Sequence, residues 1–191
     1  GFKKTILNLT KERAKQGIPP LPLNTQQVSD LCSIIRSNDY NYSDKKFIQD
    51  QFINRITPGV DETSYLKANL LNDICNDNVK SNIFTKKNAI DILGTMQGGY
   101  NVEILTKLLE KSETGLDAYK QLENTILIFD NYYKVEELYK NGNIYAELLI
   151  KSWADGKWFT KNPKVPEKIT MSVFKVSGET NTDDLSPAQD A

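Results

Sequence analysis

Few residues in this chain have the type and spacing to do chemistry. Gly98-Gly99 stands just before a predicted helix near 101, where consecutive backbone N–H groups can cradle an anion. The competing use of the pair is a tight turn between helices that needs positive φ. The surrounding string GTMQGGYN lacks the spacing of a phosphate loop, so the turn is the favoured reading. Asp183-Asp184, with Asn181 and Thr182, gathers carboxylates as a metal site or acid–base pair does. It lacks the spaced oxygen ligands and the glycine of a calcium loop, and suits a turn whose side chains bond the backbone. Cys32 and Cys75 fall inside apolar-periodic stretches, where a thiol serves as a small buried apolar group. There is no histidine, which removes the commonest general base, the Ser/Cys–His nucleophile pairs and most zinc sites. No catalytic, cofactor-binding or metal-ligating residue is therefore assigned.

The balance of the chain narrows its partners. Across 191 residues, 24 Lys and Arg nearly match 25 Asp and Glu, and a general polyanion binder needs a clear basic excess. Lys3, Lys4, Lys11, Arg13 and Lys15 do concentrate positive charge near the N-terminus, a pattern that usually marks a solvated helix face. No apolar run is long enough to span a bilayer, so no membrane partner is expected. The first residues lack the apolar core of a secretory signal. Two cysteines cannot make a disulfide framework, and a cytoplasmic location is the simplest expectation.

The elements that must position these residues are helices. The first is expected over 2–16 and stops at Gly17, before GIPPLPLN, whose prolines 19, 20 and 22 cannot continue it. Asn24 with Gln27 makes a capping box, followed by Val28, Leu31, Cys32 and Ile35 at helical spacing. Ile48, Phe52 and Ile56 mark a further helix that ends at Thr57-Pro58-Gly59. Asp61-Glu62 place negative charge in the first turn of the next, which carries Leu66, Leu70, Leu71, Ile74 and Cys75. Thr85 caps a short helix ended at Gly94, and others are expected over 101–111, 116–129, 132–140 and 143–154. In the second of these, Tyr119, Leu122, Ile126 and Phe129 form the expected buried stripe. Trp153 and Trp158 flank the last helix end as packing residues. Paired, the helices recur at roughly 35–45 residues, the range of HEAT- and armadillo-type solenoids. An irregular helical bundle is the alternative.

The pattern changes after Pro163 and Pro166. Ile169, Met171, Val173 and Val176 alternate with polar residues and predict a strand, followed by a loop-like SGETNTDDLSPAQDA. The expected organisation is thus an all-α, HEAT-like domain over 1–160, a linker over 161–168, and over 169–191 a short strand and loop opening a further, truncated domain.

Five strings carry a resemblance: PGVDETSYLKA (58–68), GTMQGGYN (94–101), FDNYYKVEE (129–137), SWADGKWF (152–159) and VFKVSGETNTDDLSPAQDA (173–191). In order and spacing they resemble the N-terminal region of the bacterial aconitase B family, and the likeness covers essentially the whole chain. That resemblance implies a HEAT-like domain followed by the start of a mobile α/β swivel domain, truncated here. It implies a full-length enzyme of the tricarboxylic acid cycle that interconverts citrate and isocitrate through cis-aconitate. There, the open iron of a [4Fe–4S] cluster, held by three cysteine thiolates, acts as Lewis acid. The cluster cysteines of the family lie far downstream, so Cys32 and Cys75 match none of them and this span alone is expected to be inactive. The resemblance further implies 2-methylisocitrate dehydration as a second reaction, a homodimer, and messenger-RNA binding when the cluster is lost. It places Gly98 and Gly99 along a channel to the catalytic core and Asp183 and Asp184 on the substrate side. A free-standing helical-repeat adaptor is the competing function.

Overall fold

The structure, a computed structural model, describes residues 1–173, 175, 177–179 and 181. Ten helical segments run in chain order: α1 (Phe2–Lys15), α2 (Thr25–Ser37), α3 (Lys45–Asn54), α4 (Glu62–Cys75), α5 (Lys86–Gly94), α6 (Val102–Leu108), α7 (Gly115–Leu122), α8 (Asn131–Lys140), α9 (Ile144–Ala154) and the single turn α10 (Lys157–Thr160). Contacts divide the chain into the units Gly1–Lys161 and Asn162–Ala191.

Local chemistry sets the helix starts. The Asn24 side chain accepts from the Gln27 amide while Gln27 reaches back to the Asn24 amide, closing the capping box of α2. Thr85 and Asn88 do the same for α5. Asn143 accepts from Ala146 N–H at the start of α9 and also donates to the Leu109 carbonyl, joining that start to the preceding helix pair.

In the first unit the helices stack in two layers. α4 pairs with α5, α6 with α7 and α8 with α9, while α5, α7 and α9 pack in series and α6 lies against α8. This is a HEAT-like helical repeat, with α2 and α3 closing it beside α4. Leu70, Leu71, Ile90, Leu93, Leu105, Leu122 and Leu149 fill the space between the layers without solvent exposure. Cys32 and Cys75 are buried with them. The α1 helix is attached more lightly, with Ile6 its one buried residue.

Two expectations fail. The helix expected over 116–129 ends at Leu122, because a Trp153 indole N–H donates to the Leu122 carbonyl and Thr125 turns back onto Gln121. Ile126 and Phe129 consequently leave the expected buried stripe for the surface. The second correction concerns the strand. There is no strand among the described residues, so the expected opening of an α/β swivel domain is not part of this fold. Ile169, Met171 and Val173 are exposed, and without a neighbouring strand their backbone has no ladder to join. Val176, Asp183 and Asp184 lie outside the described residues.

Glu123, just past α7, fastens the later helices together. Its carboxylate accepts from Ser152 (2.7 Å), Tyr119 (2.8 Å) and Lys161 (3.3 Å). Burial pushes the Glu123 carboxyl up, and these donors outweigh that and hold it below the ordinary range.

Candidate functional site

Because each helix pair reverses direction, the links between pairs gather on one edge of the stack and the turns within pairs on the other. Of the within-pair turns 76–85, 109–114 and 141–143, the first two carry Asp77, Lys80, Glu110, Lys111 and Glu113 and the third carries no charge. Lys86 ties this side together by bridging Asp77 (2.5 Å) and Glu113 (3.0 Å). The between-pair links, 55–61, 95–101 and 123–130, hold one cation, Arg55, which donates to the Leu21 carbonyl, and three carboxylates, Asp61, Glu123 and Asp130.

Gly98 and Gly99 sit on this between-pair edge, and the structure shows what the first of them is for. The Gln97 N–H donates to the Pro58 carbonyl oxygen at 2.7 Å, joining two links that are far apart in sequence. A Cβ at Gly59 would stand 2.2 Å from the Gln97 carbonyl oxygen, and one at Gly98 would stand 2.8 Å from the Val60 nitrogen. Both positions therefore need glycine for backbone-to-backbone approach. Gly98 (φ +78°) and Gly99 (φ +89°) are also left-handed, though a Cβ at Gly99 would meet open space. The PGV and QGG strings are two halves of one corner.

Side chains brace that corner. Asp61 caps α4 by accepting from the Thr63 and Ser64 amides (2.9 and 3.2 Å), and it accepts from the Thr57 and Thr63 hydroxyls. Burial pushes the Asp61 carboxyl up, and these hydrogen bonds reverse the effect and hold it below the usual carboxylate range. On the other half, buried Asn101 donates to the Leu93 and Met96 carbonyls (2.6 and 3.2 Å) and pins the 95–101 link to the end of α5. Replacing Asp61 with alanine is expected to cost about 1–2 kcal/mol, read as a lower urea midpoint at unchanged slope.

Val60 at the tip is unusual. It is 82% exposed and its backbone is left-handed at φ +66°, which a β-branched residue rarely adopts. Val60→Gly is expected to raise stability by about 1 kcal/mol by relieving that strain. An unchanged or lower melting temperature would show that the backbone there is not strained.

Between 94–102 and 124–127 lies a hollow of about 460 Å³, lined by Gln97, Gly99, Asn101, Asn124, Ile126 and Leu127 among others. Sequence reasoning missed the second wall, because 124–129 was expected to continue α7. The signal was present in Asn124-Thr125, a weak helix pair directly after the amphipathic run.

The cysteines do not fit an iron–sulfur cluster. A cluster is held by several thiolates, and this chain has two thiols, both buried in helices. Burial pushes Cys32 up to about 11 against the pull of Arg36, and Cys75 up to about 12 against Lys86 and Lys111. Among the described residues no three His, Cys, Asp or Glu side chains come together as a metal site. No described helix is long and apolar enough to cross a membrane.

A two-layer, HEAT-like helical repeat is the class of domain that this fold defines. The family model described as "Aconitate B N-terminal domain" matches residues 6–159, and the chain belongs to that family. It is 46% identical over 181 residues to aconitate hydratase B of Pseudomonas aeruginosa, covering 95% of this chain and 21% of that protein. Against aconitate hydratase B of Escherichia coli the identity is 47% over 180 residues, covering 94% of this chain and 21% of that protein. Against the Helicobacter pylori protein of the same name it is 38% over 192 residues, covering all of this chain and 22% of that protein. The chain thus spans about a fifth of the length of these relatives.

Proposed function

We propose that this chain is the non-catalytic helical domain of a cytoplasmic aconitate hydratase. On this reading, the full-length polypeptide interconverts citrate and isocitrate through cis-aconitate, and its cluster is held wholly by residues outside this span. Dehydration of 2-methylisocitrate belongs to the same full-length activity. Here the helical repeat acts as a scaffold whose between-pair edge, with Gly98 and Gly99 at its corner, lines the approach to the catalytic core. One observation carries the assignment: family membership over 6–159 together with a thiol set that cannot hold a cluster.

Absorbance of cis-aconitate tests the reading. The full-length polypeptide should consume it and the 191-residue chain should not. Turnover by the chain alone, or none by the full-length protein under conditions that load the cluster, overturns the assignment. For the channel, Gly99→Ala in the full-length protein should lower turnover, and unaltered turnover removes that role.

Of the partners the resemblance implies, messenger RNA finds little support in the side chains. In the basic N-terminal run, Lys3 pairs with Asp44, Lys15 with Glu12, and Arg13 donates to the Pro19 carbonyl. The one cation of the between-pair links, Arg55, donates to the Leu21 carbonyl. A homodimer through the helical domain remains part of the proposal, tested by sedimentation of the chain.

A further inference from the structure

Exposed apolar side chains are common singly, so exposure alone marks nothing. Three on the between-pair edge stand apart for a second reason. Among the described residues, four that are not glycine have left-handed backbone: Asn38, Val60, Asp77 and Phe129. Asn and Asp tolerate that region, but valine and phenylalanine do not. Both of the intolerant pair lie in between-pair links, and both hold their side chains in solvent, Val60 at 82% and Phe129 at 79% exposure. Leu127, on the rim of the hollow, is 70% exposed. Strained backbone that presents an apolar side chain outward is what an anchor requires.

The corner beneath Val60 is stiff. The Gln97–Pro58 hydrogen bond, the two close-approach glycines and the Asp61 cap hold it from three sides. A stiff anchor loses little freedom on docking, so more of its apolar contact appears as affinity. The charge pattern selects the occupant. The edge's one cation, Arg55, is spent on the Leu21 carbonyl, Asp61 on the α4 cap, and Glu123 on Ser152, Tyr119 and Lys161. The charge left to a partner is Asp130, which disfavours nucleic acid and acidic segments. It suits an uncharged apolar protein surface instead.

We infer that Val60, Leu127 and Phe129 are the anchors by which this domain docks onto an uncharged apolar surface of the remaining polypeptide. The inference rests on the scaffold reading above, and on relatives of which this span is about a fifth. It adds which residues bind, on which edge, and the chemistry of the surface they meet.

Carbene footprinting with mass spectrometry tests it by comparing the 191-residue chain with the full-length polypeptide. Labelling of Val60, Leu127 and Phe129 should fall several-fold in the full-length protein. Labelling of exposed Tyr42, far from this edge in the sequence, should change little and serves as control. A Leu127→Asn, Phe129→Asn double variant should leave the melting temperature of the 191-residue chain at or slightly above wild type, because Asn tolerates the left-handed backbone at 129. In the full-length protein the same variant should restore labelling at Val60. Equal labelling of the anchors in both proteins overturns the inference. So does protection that grows with concentration in the 191-residue chain, because the occupant is then a second copy. Cis-aconitate turnover is read separately, so unprotected anchors in an active enzyme sink this inference alone. Protected anchors in an inactive full-length protein sink the aconitase assignment and leave the docking edge standing.

Discussion

Gly98→Ala should destabilise the chain by about 3 kcal/mol, the sum of a left-handed backbone penalty and the overpacking of a filled contact. The added Cβ meets the Val60 nitrogen at 2.8 Å, and backbone cannot rotate aside as a flexible side chain can. Gly59→Ala should be at least as costly, since its Cβ falls 2.2 Å from the Gln97 carbonyl and must part the two links. Gly99→Ala is the internal control. It has the same hand of backbone but open space around it, so only a conformational cost of about 1 kcal/mol remains. Urea unfolding of the three variants gives the ranking directly. If Gly98 and Gly99 cost the same, close approach is not what the glycine pair provides.

Lys67 should give the chain an unusual dependence of stability on pH. It is 3% exposed, donates to the Ile53 carbonyl at 3.2 Å at the end of α3, and stands 5.5 Å from the Phe52 ring centre. Among the described residues no carboxylate pairs with it, and burial lowers its amine to about 8 from an ordinary 10.5. Below 8 both folded and unfolded chains carry the proton, and the folded state bears the full desolvation penalty. Between 8 and 10.5 the folded chain has released the proton that the unfolded chain still binds, so stability rises with pH. The gain relative to a Lys67→Met chain should be on the order of 3 kcal/mol. Other lysines and tyrosines titrate in the same range, so the difference between the two proteins across pH is the informative quantity. A difference that stays flat from 8 to 10.5 contradicts the burial of a charged amine here.

How far these features could be read without a structure depends on the range of the interaction behind them. The third helix stops at Asn54, short of the Thr57-Pro58-Gly59 expected to end it. The Asn24–Gln27 and Thr85 caps and the Val28-Leu31-Cys32-Ile35 stripe are set by neighbours within a turn or two. They were legible because the residues that make them are adjacent in the chain. The end of α7 was not, because it depends on Trp153 reaching back to Leu122. The strand over 169–176 misled for the complementary reason. Alternation describes side chains, and whether a strand forms depends on a partner that alternation cannot supply.

The candidate site divides the same way. Gly98-Gly99 read correctly as a turn needing positive φ, yet its reason, the backbone of 58–60, lies about forty residues upstream and left no local mark. Val60 carried no warning either, since valine is a residue expected in ordinary backbone. Lys67 reads in sequence as one more solvated charge on an amphipathic helix. Its burial follows from where α4 meets the end of α3, which helical spacing alone does not reveal.

The account rests on the two between-pair links being one braced corner rather than two loops side by side. Amide hydrogen exchange of Gln97 in the 191-residue chain tests this most directly, because its N–H is the one that crosses to Pro58. The corner predicts a Gln97 amide nearly as slow as those of α4 and α5, and slower again than Gly99 two residues on. A Gln97 amide exchanging at the rate of an unprotected loop would mean the links are independent, and the rigid anchor built on them would go with it.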